Sequence, residues 1–255
     1  MRNIRRNAKK IFAALFTGVI LAAAVAIAQE AVYSLNVVGF QKVAFRQTGL
    51  TMPGIPFQAA SHELNSLIGP QLKSFKNATG ADKIYLWDSS TQQYKKYFLN
   101  STLTNKWAAY ETPTVATTNA YILSTDGFWI EAASVTAQTV VIVGDVINAG
   151  TVSNTIPIGL SMKSYPFSCP RAINQMNLNN GKAFKNATGA DKLFVWDAAL
   201  QQYKQYFLNS VLTNKWAPYE TPLVVATNVI EPYMGFWYTA TTSFVWTASR
   251  PYTID

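Results

Sequence analysis

Sliding the chain along itself by 109 positions lays 75–113 over 184–222 without a gap, and 30 of the 39 paired residues are identical. The nine that differ are Ile84/Leu193, Tyr85/Phe194, Leu86/Val195, Ser89/Ala198, Ser90/Ala199, Thr91/Leu200, Lys96/Gln205, Thr102/Val211 and Ala109/Pro218. A weaker match runs outward, with Gly49-Leu50 answering Gly159-Leu160, Pro56-Phe57 answering Pro166-Phe167, and Gly127-Phe128-Trp129 answering Gly235-Phe236-Trp237. Solenoid units repeat every ~20–50 residues, so a period this long is that of a small domain present twice. The boundary is expected near 148–155, where Asn-Ala-Gly-Thr and Ser-Asn-Thr have linker composition.

Ahead of the repeat, Arg2, Arg5, Arg6, Lys9 and Lys10 stand without an acid and lead into an apolar run over 11–28 that ends Ala26-Ile27-Ala28. That order is a secretory leader with a small-x-small cleavage site. The predicted organisation is a signal peptide over 1–28, a first β-rich module over 29–150 and a second over 151–255. Its destination is beyond the inner membrane: periplasm, cell surface or extracellular space. The alternative is an uncleaved anchor, for which 18 apolar residues is short against the roughly 20 of a membrane span. After cleavage no membrane-spanning run remains.

Five of the 21 basic residues belong to the leader while all 13 acids follow it, so the mature charge is 16 − 13 = +3 against +8 for the whole chain. A balance that low, dispersed along the chain, excludes a nucleic-acid footprint. The single Cys169 and single His62 exclude an internal disulfide and any site that needs two of either. Stability must come from a packed core, to which the 13% aromatic content brings large side chains.

The pattern along one copy is that of strands. Residues 32–43 predict an opening strand, and the segment with Pro53 and Pro56 an edge or broken strand. Residues 61–68 predict one short helix capped by Ser61. Asn77-Ala-Thr-Gly-Ala-Asp82 is turn chemistry. A hairpin follows, with strands over 83–87 and 92–99 about a turn over 88–91, where Ser, Ser and Thr change freely between copies. Residues 100–113 are expected to form a loop carrying Trp107 and Tyr110, and 126–130 with 138–146 a closing strand pair. The fold class is all-β: two tandem copies of a small antiparallel β-sandwich or barrel-like module, each with one short helix.

Val32-Tyr33-Ser34 with Asn36-Val-Val-Gly-Phe40, then Tyr85-Leu-Trp-Asp88, Asp126-Gly-Phe-Trp129 and Val140-Val-Ile-Val-Gly144, resemble a family of uncharacterised exported bacterial β-rich module proteins. That family combines a VYS-N-VGY-like start with a late Gly-Phe-Trp strand. The resemblance covers most of the mature chain. It implies an exported β-rich fold and carries no activity with it.

Catalytic sets are not apparent. His62 has no counterpart in the second copy, and Cys169 has no repeated base to activate it. Asp82 and Asp191 could offer oxygens to calcium, but their setting reads as Asx-type turns. Asp82/Asp191, Asp88/Asp197 and Glu111/Glu220 are the repeated carboxylates available to a glycoside hydrolase. No catalytic residue, metal or cofactor is expected.

The remaining signal is aromatic. Trp87, Tyr94, Tyr97, Trp107 and Tyr110 recur as Trp196, Tyr203, Tyr206, Trp216 and Tyr219. Such residues pack across strands in any β core. Their sharper role is as a sugar-stacking surface, with Trp107, Tyr110, Trp216, Tyr219, Trp87 and Trp196 as ligand-binding candidates and the two loop tryptophans foremost. The expected function is that of a non-enzymatic exported structural or surface-interaction protein. The alternatives are a carbohydrate- or cell-wall-binding module pair using these aromatics, and a carboxylate-dependent glycoside hydrolase. Expected partners are polysaccharide or cell-envelope components, or a second copy through strand addition.

Overall fold

The computed structural model describes residues 37–45, 49–133 and 138–253. The predicted leader and the first part of the predicted opening strand lie outside them. The strands are β1 (Val38–Phe45), β2 (Leu50–Thr51), β3 (Phe57–Gln58), β4 (Lys83–Asp88), β5 (Gln93–Asn100), β6 (Lys106–Ala109), β7 (Trp129–Glu131) and β8 (Gln138–Val146), with one helix, α1 (Leu64–Leu67), after β3. They continue as β9 (Thr151–Ile156), β10 (Gly159–Ser164), β11 (Arg171–Ala172), β12 (Lys192–Asp197), β13 (Gln202–Asn209), β14 (Lys215–Pro218), β15 (Val229–Ile230), β16 (Gly235–Ala240) and β17 (Phe244–Ser249). The fold is all-β.

Two five-stranded antiparallel sheets have the same strand order, β2-β7-β4-β5-β6 and β10-β16-β12-β13-β14. Each hairpin at a sheet's centre forms where expected, Trp87 opposite Tyr94 and Trp196 opposite Tyr203. A ribbon covers the inner face of each sheet: β1-β8-β3 over the first, β17-β9 over the second. Alternation along the strands drives this layering, since successive side chains point to opposite faces. In β4 the inward residues are Ile84 and Leu86, which share one core with Leu99, Trp107 and Ile130 of the sheet, Val43, Val140 and Ile142 of the ribbon, and Leu64 and Leu67 of α1. The second core repeats this with Leu193, Val195, Leu208, Trp216, Phe236 and, from the ribbon, Ile156 and Trp246.

Some local expectations are corrected. The helix starts later than Ser61: Glu63 is its N-cap, accepting from Ser66 N, while the Ser61 hydroxyl accepts from Glu63 N. The matching segment of the second copy, Ile173–Gln175, is a 3-10 turn and not an α-helix, and no side chain caps it. Residues 151–155, placed in the linker on composition, belong to β9, which pairs with β17. Among the described residues no helix is long and apolar enough to cross a membrane.

The two sheets meet through their outer faces. Their edges are joined by bridges that run in both directions, Pro53 to Met234 and Asp126 to Lys163, so the halves are related by an approximate twofold. Gly127 and Gly235 touch near its axis. A Cβ on Gly127 would stand 2.7 Å from Lys163 O and 3.2 Å from Gly235 Cα, and one on Gly235 3.0 Å from Pro53 O. Only glycine lets the backbones approach this closely. That explains why Gly-Phe-Trp occurs in both halves.

Candidate functional site

The outer face of the first sheet is written into three strands. Tyr85 of β4 lies opposite Lys96 on β5 and Trp129 on β7, while Lys83 lies opposite Glu131 and Trp87 opposite Tyr94. The second sheet places Phe194 opposite Gln205 and Trp237, Lys192 opposite Thr239, and Trp196 opposite Tyr203.

Half of each face is consumed in joining the sheets. Trp87 stands edge-on to Trp237 at 5.0 Å between centroids, and Trp129 edge-on to Trp196 at 5.1 Å, the geometry that the ring quadrupole favours. Each of the four indole N–H groups in the joint is used. Trp87 Nε1 donates to Leu160 O at 2.7 Å, and Trp196 Nε1 to Leu50 O at 3.2 Å. Trp129 Nε1 donates to the Tyr94 hydroxyl at 3.2 Å, and Trp237 Nε1 to that of Tyr203 at 3.0 Å. Met52 and Met162 fill the same cluster, as pliable side chains suited to irregular gaps.

What the joint leaves uncovered is an open cleft of about 480 Å³. Tyr85, Tyr94 and Trp129 of the first sheet and Trp196 and Tyr203 of the second line it, with Leu50, Lys96 and Glu131 at its rim. Glu131 accepts from Lys83 Nζ at 2.5 Å and from the Tyr85 hydroxyl. Burial would raise its carboxyl, but these two donors outweigh burial and hold it below its ordinary value. Tyr85 is driven well above the usual phenol range, first by burial and then by its hydrogen bond to Glu131. Burial raises Tyr94 and Tyr203 as well.

The candidate ligand residues separate in this arrangement. Trp87 and Trp196 are half-buried in the joint, and Trp196 reaches the cleft. Tyr110 and Tyr219 are half-buried on the outer faces, edge-on to Phe98 and Phe207 at 5.8 Å. The loop placement of Trp107 and Trp216 is overturned: both sit on strands, β6 and β14, face inward and are 0% exposed. The chain leaves β5, reverses through Thr104 and Asn105 at φ 56° and is back in the sheet by Lys106. Alternation then turns Trp107 to the core.

Sequence reasoning passed over Trp129, Trp237, Tyr85, Lys96 and Glu131. A signal existed. In Gly-Phe-Trp, an inward Phe128 requires an outward Trp129, and Tyr85/Phe194 and Lys96/Gln205 are the strand positions where polarity changes between copies.

The repeated carboxylates have structural tasks. Asp82 and Asp191 are fully buried, and their oxygens are taken by main-chain amides, Asp82 by those of Lys73 and Ala133 at 2.8 and 2.6 Å. Asp88 Oδ1 accepts from Ser90 N and its hydroxyl at the hairpin turn, and Oδ2 pairs with Lys95. The Ser90 hydroxyl first, then Lys95, lowers its carboxyl. Asp197 pairs with Lys204, and Glu111 and Glu220 are exposed. The His62 ring donates from Nδ1 to Ile122 O at 2.9 Å and accepts from Gln58 at Nε2. Burial pushes the Cys169 thiol up. Among the described residues no group of three or more His, Cys, Asp or Glu could hold a metal ion.

The buried phenols make a pH prediction. Burial lifts Tyr165 and Tyr206 to about 12, and Tyr85 and Tyr238 still higher. A folded-state value above the unfolded one means the stabilisation is complete below the unfolded value of about 10 and disappears as pH rises through the folded value. The thermal midpoint should therefore hold from neutrality to about pH 9 and fall steeply above about 10, with tyrosinate absorbance appearing together with unfolding. Full titration of the tyrosines near pH 10 in a protein that stays folded would contradict it.

Comparison with protein-family models, with curated proteins and with solved structures finds no match to this chain.

Proposed function

We propose that this chain is an exported, non-enzymatic surface-interaction protein that holds a carbohydrate chain in the aromatic cleft between its two sheets. The observation that carries this reading is the composition of the cleft: five aromatic rings with a lysine and a glutamate at the rim. Flat rings stack against the apolar faces of sugars, and rim donors and acceptors meet their hydroxyls, which is the usual division of labour in a small-molecule site. The rings are held by hydrogen bonds and edge-on contacts, so little side-chain entropy is lost on binding.

The absence of a paired acid within the cleft supports a binding role. Glu131 is the one carboxylate among its lining residues and is engaged by Lys83 and Tyr85, whereas glycoside hydrolysis uses two. Export is carried by the leader over 1–28, which lies outside the described residues.

The test is retention of the mature protein on a panel of neutral and acidic polysaccharides, by affinity electrophoresis and pull-down. Tyr94→Ala should stay folded but melt several degrees below the wild type, since it removes a ring that is 37% exposed together with the acceptor of Trp129 Nε1. It should bind at least about tenfold more weakly, the ~1.4 kcal/mol of one lost ring contact. No retention on any polysaccharide, or a folded Tyr94→Ala that binds like the wild type, would remove the reading.

A further inference from the structure

The cleft is not symmetric although the fold around it nearly is. On the first sheet it presents Tyr85, Lys96 and Glu131, and the twofold-related positions on the second sheet are Phe194, Gln205 and Thr239. Within 75–113 and 184–222 most differences fall on inward strand positions of equal bulk or on the exposed turn at 89–91. Tyr85/Phe194 and Lys96/Gln205 instead change polarity, and they are directly opposed across β4 and β5. The divergence between the copies has thus put a phenol and a cation at one rim only.

The charges there do not cancel within the protein. Glu131 is balanced by Lys83 at 2.5 Å. Lys96 is exposed at the rim and makes no ion pair among the described residues, unlike Lys83, Lys95, Lys163 and Lys204. An unpaired cation beside edge-on aromatic rings is a site for a ligand that has both a flat apolar face and a negative charge.

We infer that the cleft selects an acidic polysaccharide, with a uronate carboxylate on Lys96 Nζ and the sugar rings against Tyr94 and Tyr203. This rests on the carbohydrate reading above and names its ligand class. The selectivity belongs to the first sheet's side, because the second sheet lines the cleft with Trp196 and Tyr203, which offer no charge.

The probes are an oligogalacturonate of defined length and its methyl ester, which keeps the sugar chain and removes the charge. The wild type should bind the acid about tenfold more tightly than the ester at physiological ionic strength, an advantage that shrinks as salt screens the pair. Lys96→Gln, which installs the residue of the second copy at an exposed position, should abolish the tenfold preference and bind acid and ester alike. Lys96→Arg should restore it. Equal binding of acid and ester, or a Lys96→Gln variant that still prefers the acid, overturns the acidic-ligand inference and leaves the carbohydrate reading standing. Binding of neither probe, with no other polysaccharide retained, overturns both.

Discussion

Trp216→Ala is expected to cost about 3–5 kcal/mol of stability, the range for emptying a fully buried aromatic site, and to lower the thermal midpoint by roughly 10 °C. The indole is 0% exposed, stands edge-on to Tyr238 at 5.7 Å, and sits where the sheet meets its ribbon. Its main-chain N–H is fixed by Asn174 Oδ1 at 2.7 Å, so the backbone is poorly placed to collapse into the space. Trp107→Ala should behave alike, since Trp107 N donates to Asn65 Oδ1 at 2.8 Å in the first copy. The phenylalanine variants should separate the two sites. Trp107 Nε1 donates to Gly69 O at 3.2 Å, whereas Trp216 Nε1 has no acceptor among the described residues. Trp216→Phe should therefore cost less than Trp107→Phe, by about the 1 kcal/mol of one hydrogen bond. Thermal unfolding with near-ultraviolet circular dichroism reads all four. A Trp216→Ala variant that melts with the wild type would show that this side chain is not part of the core.

These two tryptophans also mark where sequence and structure part. The hairpin of β4 and β5 was readable because bulk-conserving changes fell on strands and free changes on the turn. The neighbouring reversal was not, because it is made by Thr104 and Asn105, and by Thr213 and Asn214, at φ of 56–57°. A β-branched residue in the left-handed region is uncommon, and no glycine or proline announced the turn. The segment therefore read as a loop, and its tryptophan as exposed. The cleft was hidden for a different reason. It exists only because two outer faces meet, and the residues that join them, Trp129 and Trp237, are reached by combining strand alternation with a twofold that no single copy contains. The helix of the second copy failed locally: Ile173–Gln175 lacks the side-chain cap that Glu63 provides in the first.

Asp191→Asn is expected to be nearly as damaging as Trp216→Ala, although it changes only an oxygen to an amide. Asp191 is fully buried. Its Oδ1 accepts from Thr241 N at 2.8 Å and from the Thr241 hydroxyl at 2.7 Å, and its Oδ2 from Lys182 N at 3.1 Å and the Tyr238 hydroxyl at 2.9 Å. Four donors converge on one carboxylate, which ties 182 to the start of β12 and the end of β16. An asparagine keeps one acceptor oxygen and turns an N–H₂ group toward two of those donors, so at least one main-chain amide that the buried carboxylate held loses its partner. Unsatisfied groups of this kind cost about 1–3 kcal/mol each, more where a charge was involved. The expected loss is about 3 kcal/mol or more, and Asp191→Ala should exceed it by adding a cavity. Asp82→Asn should be milder, because two amides and not four donors depend on that residue. A double-mutant cycle identifies the mechanism. Tyr238→Phe alone should cost about 1.5–3 kcal/mol, the worth of a hydrogen bond to a charged group, and little more once Asp191 has been replaced, because the two share one bond. Additive losses would mean that Asp191 acts elsewhere. Stabilisation of the wild type by added calcium would return it to the role of a metal ligand.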